Sequence, residues 1–219
     1  MTISGNTLAD GFASRLRQRT ISAHRDAETS PFMRALFTGK LTKAGYATYA
    51  AQLLVVYREL DAASEAMADD PIGGCFADSA LLRARALESD IRALSGADET
   101  PAPLPATLQY RDRVRAVAFD WPGGFVAHHY TRHLGDLSGG LHIARALRRH
   151  LTDGDDAGLS FYELTVPDPD AYKARYRALR DAAPWDDDER ERIVDEVLEA
   201  YRLNDAVLLE VSEACGVQP

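Results

Sequence analysis

The sequence predicts an all-α fold, a multi-helix bundle in one domain spanning residues 1–219. Apolar residues recur every three or four positions along most of the chain, the period of one buried helix face. No stretch alternates apolar and polar residues as a half-buried strand would, and no internal repeat divides the chain. With 46% hydrophobic and 27% charged residues, a chain of this length can bury one sizeable core.

Leu8, Phe12 and Leu16 open a first helix that runs into the high twenties. In "SPFMRALFTGK", Ser30 is an N-cap, Pro31 pre-sets the first turn and Gly39 follows the end, which predicts a short second helix. A long third helix follows, with Tyr46, Tyr49, Ala50, Leu53, Val56, Tyr57 and Leu60 on one face. Leu87, Ile91 and Leu94 mark a fourth, stopped by Gly96; the proline-rich "GADETPAPLPAT" is too short to link independent domains. Further helices are expected over 105–119, 123–151, 169–182 and 187–214, giving seven or eight in all. The last opens from "PWDDDERER", which places acids at the positive end of its dipole. The ends, about residues 1–7 and 216–219, are expected to be disordered.

A net charge of −9 argues against general nucleic-acid binding, and any anionic ligand must find locally basic residues. Cys75 and Cys215 have neither metal-site nor redox-pair spacing. The first twenty residues lack the apolar core of a signal peptide. No run reaches the ~18 apolar residues of a membrane span, so a soluble, cytoplasmic protein is expected.

Two segments carry chemistry. In "HHYTRHLGDLSGGLHIARAL", residues 128–147, Gly135, Gly139 and Gly140 fall within six positions of a helix. Each helical glycine costs roughly 1 kcal/mol relative to alanine. Gly135 and Gly139 share a face, with Asp136 and Gly140 beside them, and a kink is expected there. From spacing alone this could be a close helix–helix seam. Asp136, however, is an ionisable group whose burial needs hydrogen bonds or water. Arg132 lies one turn earlier, within reach of Asp136, and His128 extends the row. A polar row beside a glycine gap fits a ligand site that handles water. A zinc cluster of His128, His129 and His133 is disfavoured: the first two diverge on a helix, and the i,i+4 pair lacks a protease glutamate.

The second segment is "TISAHRDAE". His24 stands near the apolar face of the first helix, with Glu28 one turn on. That carboxylate would fix the imidazole tautomer and leave the other nitrogen free to ligate iron. An exposed histidine with a local ion-pair partner fits the same spacing.

Together, "TISAHRDAETSPFMRALFTGK" and "YTRHLGDLSGG" resemble the haem oxygenase family, and the similarity extends through "AYKARYRALR" and "AYRLND" over nearly the whole chain. The resemblance implies a haem oxygenase-like bundle with the haem between a proximal N-terminal helix and a glycine-kinked distal helix. It assigns His24 as the axial ligand of the iron and Glu28 as its orienting carboxylate. Gly135, Gly139 and Gly140 match glycines whose backbone lies over the haem face. Asp136 matches the aspartate that organises distal water, and Arg132 and Tyr57 match members of its hydrogen-bond network. Arg17, Tyr130, Lys173 and Arg177 match the polar rim that contacts the propionates, and Asn204 a polar residue of the same pocket. Two positions depart from the familiar "YLGDLSGGQ": His133 replaces the tyrosine and Leu141 the glutamine. His133 would either add a group titrating near neutral pH or be a surface residue of no consequence.

The implied activity is a haem-degrading monooxygenase with haem b as both substrate and cofactor, O2 as co-substrate and no separate metal. The ring would open to biliverdin with release of carbon monoxide and ferrous iron. Electrons would come from a partner such as a ferredoxin or an NAD(P)H-dependent reductase; neither nucleic acid nor a membrane span is involved. The alternative is a non-catalytic haem carrier or buffer, which would keep His24, Lys173 and Arg177 without requiring Asp136 and its polar row.

Overall fold

Hydrophobic faces at helical spacing leave the chain little choice but to stack helix on helix. The computed structural model describes residues 11–95, 100–152, 154–164 and 166–217. Among these, nine α-helices follow in order: α1 (Phe12–Glu28), α2 (Pro31–Phe37), α3 (Lys43–Ala66), α4 (Ala84–Ser95), α5 (Pro105–Val117), α6 (Pro122–His129), α7 (Gly135–His150), α8 (Pro169–Ala182) and α9 (Asp187–Ala214). No strand occurs among the described residues. The start of the first helix at Leu8 and the stop at Gly96 lie outside the described residues.

The count exceeds the expectation because residues 123–151 do not form one helix. A π-helical turn, Tyr130–Leu134, separates α6 from α7. The departure from regular α-helix thus lies just before the glycines, in a wider turn of a form that recurs at functional sites. Short 3₁₀ turns at Gly73–Cys75, Ser79–Leu81 and Ser160–Tyr162 also escaped the periodicity, because three residues are too few to show one.

The central helix is α3, which packs against α4 and α5, while α9 lies along α1, α5 and α6. Tyr46, Tyr57 and Leu60 of α3 meet Phe125, Val126, Ile193 and Val197 in one continuous core. Polar ties fix the helices that matter for the site. Asp181 of α8 accepts the Ala13 N–H at 2.7 Å and so closes the free end of α1. Asp90 of α4 accepts from the backbone of Ser160 (2.8 Å) and Phe161 (2.7 Å), which presents Tyr162 to α7. At its far end α9 closes on Gly216, whose φ of +66° suits glycine; the Val217 N–H reaches back to Ser212 at 2.9 Å.

Candidate active site

Helix α1 and the π-turn–α7 unit face one another across a slot. Two adjoining cavities fill it, of 510 Å³ and 650 Å³, and His24, Glu28, Gly135, Ser138 and Tyr201 line both. Each lies within the roughly 300–1,000 Å³ of small-molecule clefts.

On the α1 side, His24 Nδ1 lies 3.4 Å from Glu28 Oε2. The ring meets Tyr201 edge-on, centroids 6.1 Å apart. The His24 side chain keeps 45% of its exposure, so the ring reaches the slot rather than the core. With Glu28 beside Nδ1, Nε2 is the nitrogen left for a ligand.

Across the slot, a Cβ added to Gly135 or Gly139 would meet nothing within 4 Å. These two glycines therefore spare space for something other than a neighbouring helix. Gly140 does not belong with them. A Cβ there would come to 3.1 Å from Tyr162 Cδ1, and the residue lines neither cavity. Its missing side chain serves packing, because the 160–162 turn presses an aromatic ring onto α7.

Asp136 lines the larger cavity, and behind it runs a chain of polar groups. The Tyr57 hydroxyl donates to Asp136 Oδ2. Arg132 Nε donates to the Tyr57 oxygen at 3.3 Å, and Arg132 Nη1 to Asn204 Oδ1 at 2.5 Å. Arg132 thus reaches Asp136 through Tyr57 and not by the direct pairing expected from one-turn spacing. Burial raises the Asp136 carboxyl above the ordinary carboxylate range, and Arg132 and Tyr57 only partly offset it. Burial also holds the Tyr57 phenol well above its ordinary value, so it remains a donor.

His128 does not extend this row. It is fully buried on the other side of α6, with Nε2 2.9 Å from Glu196 Oε1. Burial alone would raise the Glu196 carboxyl, but hydrogen bonds from His128 and Arg113 outweigh it and hold it down at about 2. His133 meets neither expectation. It is 3% exposed, hence no surface residue, and stacks on Tyr57 with centroids 5.4 Å apart. Burial, with His129, Arg132 and Arg83 nearby, pushes its pKa well below the ordinary histidine value, so it does not titrate near neutrality. Its ring lies 4.2 Å from that of His129. Among the described residues no group of three or more His, Cys, Asp or Glu side chains is placed to hold a metal ion. Leu141 is simply exposed, at 56%.

The smaller cavity is the basic end of the slot. Arg17, Tyr130, Lys173 and Arg177, the residues the resemblance assigns to a propionate rim, all line it. Lys173 also pairs with Asp170 at 2.8 Å. Arg180 lines the same cavity and was missed. The signal was available: 173, 177 and 180 stand at i, i+4 and i+7, one helix face. Tyr201, Ser138 and Met33 were also missed; a tyrosine or serine on a helix carries no sequence mark that distinguishes a slot from a core.

The sequence model described as Heme oxygenase matches residues 10–210. Heme oxygenase 1 of Synechocystis sp. is 35% identical over 195 residues, covering 88% of this chain and 81% of the relative. Heme oxygenase 1 of Nostoc sp. is 32% identical over 200 residues, covering 90% and 84%. The crystal structure of heme oxygenase-1 from Synechocystis sp. in complex with heme superposes with a TM-score of 0.87 at 32% identity, over 94% of this chain and 96% of that one. Heme oxygenase from Leptospira interrogans gives 0.86 at 30% identity, over 91% and 99%. A match this extensive in sequence and in fold settles the family: the chain belongs to the haem oxygenases, enzymes that degrade haem.

Proposed function

We propose that this chain binds haem b in the α1–α7 slot as both substrate and cofactor and opens its ring to biliverdin, carbon monoxide and ferrous iron. O2 is the co-substrate, and electrons come from a redox partner such as a ferredoxin or an NAD(P)H-dependent reductase. The observation that carries the reading is His24 set across the slot from Gly135 and Gly139, where added methyl groups would project into open space. A flat ligand needs that clearance on one face and a ligand atom on the other. The bare glycine face and the cavity volumes fit it, and the basic end suits its two carboxylates. Bound haem supplies the redox-active iron at which O2 is reduced and the ring carbon that is oxidised.

The protein's own groups then have separate tasks. His24 ligates through Nε2 while Glu28 holds Nδ1, which fixes the tautomer and strengthens the nitrogen as a donor. Asp136, held by Tyr57 and restrained by Arg132, orients water on the opposite side. A carboxyl raised by burial can take up a proton and return it within that water network. The bare backbone at Gly135 and Gly139 would leave room for a bound ring and a small molecule beside it. A carrier would need His24 and the basic end, but it has no use for four polar groups linked through the larger cavity's wall.

The test is one cuvette. Apoprotein with one equivalent of haemin, then reductant under air with catalase present, should lose the haem band as a biliverdin band grows. Asp136→Ala should bind haemin nearly as the parent does and lose biliverdin formation. A stable haem complex in the parent chain would replace the enzyme reading with the carrier, and full turnover by Asp136→Ala would remove that residue from the mechanism.

A further inference from the structure

Tyr176 is a buried phenol with a base at its oxygen. It is 2% exposed on α8, and its hydroxyl lies 3.0 Å from His129 Nδ1, the two rings parallel within 2°. The direction of this bond follows from the surroundings. His129 Nε2 is buried without a partner, and burial keeps the ring neutral by lowering its pKa to about 3. With Tyr176 donating, a single N–H is left unpaired. The other tautomer would leave both the phenol hydrogen and the bare Nε2 unpaired, so Tyr176 is the donor.

This phenol stands between the slot and solvent, with a tyrosine on either hand. Tyr130 lines the 510 Å³ cavity, and the guanidinium carbon of Arg180 lies 4.3 Å from its ring centroid and 5.5 Å from that of Tyr176. Tyr172, one helical turn from Tyr176, has its ring centroid 6.5 Å away. It is partly exposed, and its hydroxyl meets the carboxylate of Asp78. A phenol gives up an electron readily only when its proton leaves at the same time. Tyr176 and Tyr172 each have an acceptor in place, and ring-to-ring steps this short are easily crossed by an electron. Packing alone asks for neither base.

We infer that Tyr176 and Tyr172 form an electron relay that reaches the slot past Tyr130 and lets the loaded protein reduce hydroperoxides, with a small reductant in solvent such as ascorbate as the donor. The inference rests on the haem reading above, because haem is the group in the slot that a hydroperoxide would oxidise. The hydroperoxide takes two electrons and two protons, and its O–O bond breaks to leave an alcohol and water. Each electron leaves Tyr176 as its hydroxyl proton passes to His129 Nδ1, a transfer within hydrogen-bond reach. An electron from Tyr172 then restores Tyr176, the proton returns from His129, and the Tyr172 proton moves to Asp78. Ascorbate gives Tyr172 one electron and releases one proton to solvent, and Asp78 returns the phenolic proton. Two ascorbates are thus oxidised per hydroperoxide, and the two protons they release balance the two consumed in the slot. The relay drains oxidising equivalents from the slot when the O–O bond breaks before the ring is attacked.

The experiment is freeze-quench EPR of the haemin-loaded protein mixed with cumene hydroperoxide, without and with ascorbate. The parent should give a tyrosyl radical signal that ascorbate quenches. Tyr176→Phe keeps the ring and its packing and should lose most of the signal. His129→Phe keeps the phenol without its base and should form the signal about a hundredfold more slowly, the low end of what a positioned proton acceptor contributes. Tyr172→Phe should keep the signal but lose its rapid quenching by ascorbate. Parental yield in Tyr176→Phe, or parental rate in His129→Phe, would overturn the inference. Should either of these buried variants fail to bind haemin, Tyr172→Phe decides alone, and quenching at the parental rate would then refute the relay. A parent that opens the haem ring yet shows no tyrosyl signal with the hydroperoxide would overturn the inference and leave the haem reading standing. A parent that does not bind haemin at all would instead sink that reading.

Discussion

Replacing Gly139 with alanine should stabilise the ligand-free fold while weakening haem binding. The residue lies inside α7, where alanine is favoured over glycine by roughly 1 kcal/mol. Nothing offsets that gain, because the added Cβ meets no atom within 4 Å. A gain of that size raises the melting temperature of a chain this long by roughly 2–4 °C. The same methyl projects into the 650 Å³ cavity opposite His24. Crowding a filled site by one methyl costs roughly 1–3 kcal/mol, about fivefold to a hundred-and-fiftyfold in affinity. Gly140→Ala is the control with the opposite sign. Its Cβ would lie 3.1 Å from Tyr162, which is 5% exposed and packed edge-on against Phe161, so overpacking of roughly 1–3 kcal/mol outweighs the same helical gain of roughly 1 kcal/mol. That variant should melt lower than the parent. Thermal melts of apoprotein and haemin titrations of both variants decide the matter. If Gly139→Ala melts lower, or binds haemin as the parent does, the slot assignment of this face is wrong.

His24→Ala should lose the axial-histidine absorption signature of the haemin complex with little change in apoprotein stability, since the ring is half exposed and only edge-packed on Tyr201; an unchanged spectrum would place the ligand elsewhere. Acidification should destabilise the fold through His129, which is fully buried and whose pKa burial lowers to about 3. Below pH 6.5 the unfolded chain binds a proton there that the folded chain refuses until about pH 3, so stability is full above pH 6.5. It then falls by about 1.4 kcal/mol per pH unit within that window. Asp205 acts with the opposite sign, because burial raises its carboxyl to about 6 and its protonation favours the fold. The comparison is therefore between urea unfolding of the parent and of His129→Phe at pH 7 and pH 5. The variant should lose less on acidification, and equal losses would refute the assignment.

Much of this site was legible because its chemistry and its backbone demands coincide in short segments. Paired glycines four apart with an aspartate between them fit a bare helix face or a packing seam alike, and His24 with Glu28 an oriented imidazole or an exposed ion pair; the resemblance of the two segments to one family chose between them. The same logic failed at Gly140, since a glycine omitted for a ligand and one omitted for a tyrosine look alike in sequence. What distinguishes them is Tyr162, whose position depends on Asp90 of a distant helix. His128 and His133 failed for a related reason. Their partners, Glu196 and Tyr57, lie 68 and more than 70 residues away, and no local pattern says which face of a kinked helix turns inward. The fold itself was easier to read, as apolar spacing is local while helix partners are not.

The bare face also explains the crowded one behind it. A helix that gives up side chains at Gly135 and Gly139 forfeits roughly 2 kcal/mol of propensity and all packing toward the slot, so it must be held from the other side. On α6 and the π-turn that lead into it, the structure places an aromatic stack: Tyr57 on His133, His133 against His129, and His129 parallel to Tyr176 with its Nδ1 3.0 Å from the Tyr176 hydroxyl. Contacts of this kind contribute about 0.5–1.5 kcal/mol each beyond burial, enough to offset the two glycines. Tyr57 joins both duties, since the ring that braces the helix carries the hydroxyl that holds Asp136. A substitution that relaxes the back of the helix should therefore disturb the distal carboxyl without touching the slot. Conversely, one that fills the front should firm the fold at the expense of the ligand.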